Sequence, residues 1–194
     1  MKDSNLNRKH LVLTDGRITL RPYRKDDYKE SYRAIKESAA EMSPWLLFVH
    51  EHYSIGENRA WTRKQAAAWK KGDSYAFAIT DAGDGRIIGG CGLNQIDKLN
   101  HCANLGYWVR TGETGRGVAT AATLLLARWG FDVLKLNRIE IAVATGNQRS
   151  LRVAEKAGAK REGVLRNRIN IRDKMHDAVM HSLVPGEVQD LPLH

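Results

Sequence analysis

No stretch of the chain approaches the roughly 20 consecutive apolar residues that a membrane-spanning helix requires. The most apolar segment, Val118 to Leu134, is interrupted by Thr120, Thr123, Arg128 and Asp132. Residues 1–17 are polar and lack the apolar centre of a secretory signal, so a cytoplasmic protein with no membrane contact is expected. Cysteine is scarce too. Cys91 and Cys102 are the only two and form no CxxC pair, which removes the usual basis for a zinc site; no metal is expected. Both are read as reduced thiols on neighbouring strands. Cys91 lies between glycines with no His or Lys beside it to lower its pKa, which argues against a cysteine nucleophile. There is no repeat, no low-complexity tract and no Pro- or Gly-rich linker. The expectation is one domain over residues 1–194, with a core from about 15 to 185 and tails at 1–14 and 186–194.

The chain does have enough material for a packed core: 194 residues, 42% hydrophobic and 27% charged. It also has a net charge of +9, unevenly spread. Between Lys135 and Lys174 stand eleven Lys or Arg against four acids, an excess of seven. Such a face suits a polyphosphate cofactor, an acidic substrate or RNA, or is simply a solvated basic surface.

Ile18 to Arg21 reads as a strand stopped by Pro22. Asp26 or Asp27 opens a helix to about Lys36. Met42 to Tyr53 is irregular and aromatic-rich. Ser54, with Glu57 three residues on, makes a capping box for a helix to about Lys71, which Gly72 ends. Tyr75 to Thr80 and Arg86 to Leu93 form a hairpin around the turn DAGDG, and Ala103 to Val109 is the next strand. Gly117 to Leu134 is a buried helix, Arg138 to Val143 a strand, and Asn147 to Ala157 a helix closed by Gly158. Strands near Lys160 to Arg166 and Ala178 to Val184 complete the chain. This order gives a mixed sheet with helices on its faces, an α/β domain of α+β type.

Chemistry is concentrated in YWVRTGETGRGVAT, Tyr107 to Thr120, where a strand leads through a glycine loop into a buried helix. The first turn of a helix leaves N–H groups unpaired at its positive end. Gly115 and Gly117 allow a phosphate close to the backbone, and Arg116 adds charge. A tight turn needing glycine for its backbone angles is the plainer reading of the same residues. Two known phosphate loops fail here. GxxxxGK[ST] begins with Gly112 and Gly117 but then meets Val118 and Ala119, and GxGxxG meets Thr120 at its third glycine.

Strand, GxG loop and helix, followed by RIEIAV, NxxSxxVxEKAG and EGVL, resemble the GNAT acetyltransferases. Within them the chain is similar to the Rim-type branch, which acetylates N-terminal amines of ribosomal proteins. The resemblance runs from ITLRPYRKDD to MHDAVMHSL. It implies the GNAT fold: a twisted, mostly antiparallel mixed sheet of about seven strands with helices on both faces. A V-shaped split would separate strands 4 and 5, here the strand ending at Val109 and the strand Arg138 to Val143. Acetyl-CoA would lie in the split as cosubstrate. By resemblance, the backbone of Trp108 and Val109 holds the pantetheine arm and polarises the thioester. Gly115, Arg116, Gly117, Val118, Ala119 and Thr120 wrap the pyrophosphate, and Asn147 bonds a pantetheine amide. A homodimer is a further implication.

Many family members protonate the leaving thiolate with a tyrosine, but no tyrosine follows Tyr107. Ser150, which shares a helix face with Asn147, resembles the serine of the Rim-type branch and is the candidate acid, although serine there also suits a helix cap. The base that takes the amine's proton stays open among Glu162, Glu140, Glu41, His50 and a water chain. Trp45, Leu46 and Phe48 would floor the acceptor pocket or form a satellite core. His176 and Asp177 read as structural. The acceptor is a primary amine, on a protein N-terminus such as that of a ribosomal protein, or on a small molecule such as a polyamine or antibiotic. Two other classes are an RNA- or ribosome-binding module and a non-catalytic acyl-CoA-binding protein.

Overall fold

The computed structural model describes Arg8 and residues 10–188. Its eight strands are β1 (Leu13–Thr14), β2 (Ile18–Pro22), β3 (Tyr75–Asp81), β4 (Ile87–Asp97), β5 (Cys102–Val109), β6 (Arg138–Ala144), β7 (Lys160–Ile171) and β8 (Lys174–Leu183). The helices are α1 (Tyr28–Glu37), α2 (Ala39–Met42), α3 (Ile55–Lys71), α4 (Val118–Asp132) and α5 (Gln148–Lys156). The sheet order is β1-β2-β3-β4-β5-β6-β8-β7. The additional strand relative to the expected seven is β1, which pairs with β2 through Leu13↔Leu20 and Thr14↔Thr19. The ordered core therefore begins ahead of residue 15, with Leu11 and Leu13 packed against it. The outermost parts of the expected tails, residues 1–7, 9 and 189–194, lie outside the described residues. Among the described residues, no helix is long and apolar enough to cross a membrane.

Alternation along the strands divides the side chains between two faces. Tyr75, Phe77 and Ile79 of β3 join α4 in the main cluster with Leu93, Leu105, Leu125, Leu126, Trp129 and Ile139. Ala78 turns the other way, to Tyr23 and Ile87. Helix α4 is hydrophobic around most of its surface because it lies under this sheet, with Ala122, Leu126 and Ala127 fully buried. Helix α3 has the expected capping box, Ser54 with Glu57, and ends at Gly72 with φ 69°. Its Trp69 meets Trp129 of α4 with ring centroids 5.7 Å apart.

Every ladder is antiparallel except β5–β6. That parallel ladder lasts three positions, Cys102↔Arg138, Ala103↔Ile139 and Asn104↔Glu140. Beyond it the strands part, which is the split expected between the strand ending at Val109 and the strand beginning at Arg138.

The last two strands differ most from expectation. They run on past residue 166 and begin before residue 178 to form one long hairpin. Its turn is Arg172–Asp173, with φ of 52° and 59°. A two-residue hairpin turn of this kind requires positive φ at both positions and usually takes Asn or Gly, so Arg-Asp is a weak signal for it. His176 and Asp177 stand inside β8, where Asp177 Oδ1 accepts the Asn167 N–H at 2.9 Å. Cys91 and Cys102 lie on the neighbouring strands β4 and β5 as free thiols, and burial pushes the Cys91 thiol well above its ordinary pKa.

Candidate active site

The parting strands open a cleft of about 860 Å³. One wall is β5, the loop after it and the start of α4. The other is β6 and α5. Helix α2 and the loop after it close the far end, with Glu41, Met42, Pro44, Trp45 and Leu46 lining it.

On the first wall, Arg110 N–H donates to the Ile88 carbonyl at 2.8 Å. Hydrogen-bonded pairs alternate along an antiparallel ladder, so the backbone of Trp108 also faces β4, while that of Tyr107 and Val109 faces the split. Of the two residues expected to hold the pantetheine arm, Val109 thus presents its backbone to the opening. Trp108 contributes as a lining side chain, and it lies over Gly90, where a Cβ would stand 2.5 Å from its Nε1.

The chain then makes a 3-10 turn at Thr111–Glu113 and reaches Gly115 and Gly117, both with φ 79°. A Cβ at either glycine would meet nothing within 4 Å, so backbone angle rather than crowding selects glycine at both positions. Gly117 is the N-cap of α4 and has no side chain to accept a first-turn N–H. Gly115, Gly117, Val118, Ala119 and Thr120 line the cleft, so this uncapped turn opens directly into it. That is a concave row of amide donors with space for an anion. Arg116 behaves differently: its side chain is 69% exposed and its Nη1 pairs with Glu113 Oε2 at 3.1 Å, outside the cleft lining. Cations do line the cleft on α5, at Arg149, Arg152 and Lys156.

On the second wall, Asn147 is the N-cap of α5, its Oδ1 accepting Ser150 N–H at 3.1 Å. Capping therefore falls to Asn147, and the Ser150 hydroxyl lies 2.7 Å from the Tyr107 hydroxyl. The Tyr107 hydroxyl is also 3.1 Å from the Ser150 carbonyl oxygen. Both residues line the cleft. Burial pushes the Tyr107 phenol up to about 12, the Ser150 hydrogen bond opposing the shift. The sequence expectation names Ser150 alone for this role, since no tyrosine follows Tyr107. Strand parity was the available signal, since Tyr107 alternates with Trp108 and so turns to the face that carries α4 and α5.

The candidate bases separate cleanly. Glu162 accepts from Arg138 Nη1 and Ser182 Oγ, each at 2.7 Å, and is held at about 2, chiefly by Arg138. Glu140 joins the same arginine at 2.9 Å. His50 pairs with Glu57 at 2.9 Å. None of these three lines the cleft, whereas Glu41 does. Glu41 Oε2 accepts the Thr111 hydroxyl at 2.9 Å.

The acceptor-side loop is anchored from several places. Trp45 covers Gly146, where a Cβ would come within 3.0 Å of its ring. Arg172, at the hairpin tip, donates to the Val49 carbonyl at 2.8 Å. Thr111 N–H donates to Ser38 Oγ at 3.0 Å. Of the three residues read as pocket floor or satellite core, Trp45 and Leu46 line the cleft, Leu46 also packing on the satellite cluster of Ile35, Met42, Val49 and Tyr53, whereas Phe48 does not line it; it is 41% exposed and packs on Tyr53.

A split sheet with a glycine loop and an uncapped helix at its mouth defines an acyl-CoA-dependent transferase, and the chain belongs to the GNAT acetyltransferase family. The Acetyltransferase (GNAT) domain matches residues 17–160. The protein is an acetyl-CoA-dependent N-acetyltransferase, and its relatives place it with the Rim-type branch. It is 30% identical over 175 residues to the "Putative ribosomal N-acetyltransferase YdaF" of Bacillus subtilis (strain 168), covering 88% of this chain and 92% of that one. It is 27% identical over 140 residues to the ribosomal-protein-serine acetyltransferase of Escherichia coli (strain K12), covering 72% and 75%. Mycobacterium smegmatis RimJ, solved in complex with CoA-disulfide, shares the fold with a TM-score of 0.83 at 24% identity, over 93% of this chain and 88% of that one.

Proposed function

We propose that the acceptor is the N-terminal amine of a protein, specifically a ribosomal protein. The observation that carries this reading is the composition of the acceptor wall. It is apolar, from Met42, Pro44, Trp45 and Leu46, and Glu41 is its one carboxylate. The other lining acid, Glu113, is engaged by Arg86 and Arg116. A polyamine carries several positive charges that need several acids, whereas a peptide end carries one amine followed by side chains and backbone. The names of the two relatives above point the same way.

In this reading the amides from Gly115 to Thr120 hold the diphosphate, and the Val109 backbone orients and polarises the thioester carbonyl. The Asn147 side-chain NH₂, left over from capping, bonds the pantetheine arm. Acetyl-CoA supplies the acyl group: the amine nitrogen bonds the acyl carbon, the C–S bond breaks, and the sulfur leaves as thiolate. The Ser150 hydroxyl gives a hydrogen bond to that sulfur, stabilising its charge until water protonates it. Glu41 is the carboxylate placed to receive the amine's proton, directly or through water.

The test is incubation with acetyl-CoA of ribosomal proteins and N-terminal peptides, with spermidine and aminoglycosides in parallel, read by mass spectrometry. One acetyl group on an α-amine is the expected product; acetylation confined to the small amines would overturn the acceptor assignment. Ser150→Ala should lower kcat on the order of 100-fold with CoA affinity unchanged.

A further inference from the structure

The geometry points to Tyr107 as a positioning residue for acetyl transfer: its hydroxyl holds Ser150 so that the serine's own proton is directed into the cleft. This rests on the proposed role of Ser150 and adds what makes that serine competent.

A hydroxyl has one proton and two lone pairs, so an isolated serine at the start of a helix can spend its proton on a nearby carbonyl. The Ser150 N–H is taken by Asn147 Oδ1 at 3.1 Å, and the one Tyr107 hydroxyl proton has two acceptors within reach, the Ser150 carbonyl oxygen at 3.1 Å and Oγ at 2.7 Å. A phenol is the better donor of the two hydroxyls, and the shorter contact is the one to Oγ. With Tyr107 donating there, Ser150 Oγ accepts on one side and its O–H is left pointing away from the tyrosine. Oγ becomes a better donor as well, because accepting one hydrogen bond polarises the O–H that it gives to the next group.

The pair spans the split: Tyr107 comes from β5 and Ser150 from α5, 43 residues apart in the chain. It is a side-chain bond joining the two walls at the level where the ladder has already ended. The tyrosine ring packs against the main core, so the hydroxyl is carried on a fixed support. With its pKa near 12, the phenol keeps its proton, and hence its ability to donate, throughout the neutral and mildly alkaline range.

The experiment is a kinetic cycle on the full chain with Tyr107→Phe, Ser150→Ala and the double variant, each checked by thermal melt and by calorimetric titration with CoA. Tyr107→Phe should lower kcat about tenfold, with KM for acetyl-CoA held within about twofold. Ser150→Ala should lower kcat further, and the double variant should match Ser150→Ala, because the tyrosine acts only through the serine. Wild-type kcat in Tyr107→Phe, with Ser150→Ala slow, would overturn the inference alone. So would a double variant slower than Ser150→Ala by the full Tyr107→Phe factor. Wild-type kcat in Ser150→Ala would remove the serine's role and this inference together, leaving acetyl transfer itself in place. A second measurement is independent of any folding loss. Replacing Tyr107 by trifluorotyrosine keeps ring and hydroxyl but acidifies the phenol, so kcat should decline on the alkaline side where the wild type stays flat. A flat profile overturns the positioning role.

Discussion

The cofactor wall of the cleft is nearly continuous in sequence, from Tyr107 to Thr120, and works through backbone groups that two glycines and an uncapped helix expose. The acceptor wall is assembled from distant parts: α2, the loop that follows it, Gly146 beneath Trp45, and Arg172 at a hairpin tip 123 residues from Val49. The first wall is a matter of chain conformation, and the second of side chains arriving from elsewhere. One consequence is that damage to each should register on a different substrate.

The largest effect should follow from forcing a side chain into the backbone-built wall. Gly117→Val places a β-branched residue at φ 79°, a strain of about 2 kcal/mol. If that strain is relieved by turning the amides away, the Kd for CoA should rise about thirtyfold, measured by calorimetry. A variant that binds CoA normally would show that the turn is not tuned to the ligand. Arg172→Ala removes the clamp on Val49. With a hydrogen bond contributing about 1 kcal/mol, the acceptor KM should rise about fivefold, while CoA binding should not move. Equal weakening of both substrates would erase the distinction between the walls. The smallest effect should come from Glu162→Gln, which lies outside the cleft lining and so serves as the control. Glu162 is held at about 2, below the 4.5 of a free carboxylate. Its stabilising contribution is therefore present above pH 4.5 and is lost as pH falls towards 2. The melting temperature of the wild type should drop more steeply over that window than that of Glu162→Gln, with kcat at neutral pH the same in both. Parallel melting curves would show that Arg138 contributes nothing through this carboxylate.

The same contrast explains what could be read from the sequence. The loop from Gly115 to Thr120, the Ser54–Glu57 box, the Gly72 stop and the Asn147 helix start are local signals, each written within a few residues, and each appears in the structure where the spacing put it. The split was legible only through family resemblance, since no local pattern says that two strands pair for three residues and then part. Arg116, expected at the cradle, pairs with Glu113, a contact that spacing alone does not show. The role of Tyr107 is not written locally, because its partner lies on another element, 43 residues on. The hairpin tip was hidden for a different reason. Arg172 and Asp173 adopt a conformation that their side chains do not advertise, and of the arms around them β7 is largely exposed while β8 is buried without a break from Ala178 to Leu183, so neither shows the alternation that marks a half-buried strand.

The parting of β5 and β6 leaves each strand, beyond Asn104 and Glu140, with one flank lacking a ladder partner. That is the condition of an edge strand, the part of a sheet most prone to recruit a foreign chain and seed aggregation. Here the two bare flanks face each other inside a wedge whose lining includes the starts of α4 and α5, so an intruding strand would have to enter lengthwise instead of docking from the side. A single divergence in the sheet thus gives a slender substrate its berth and screens the exposed backbone from other copies of the protein.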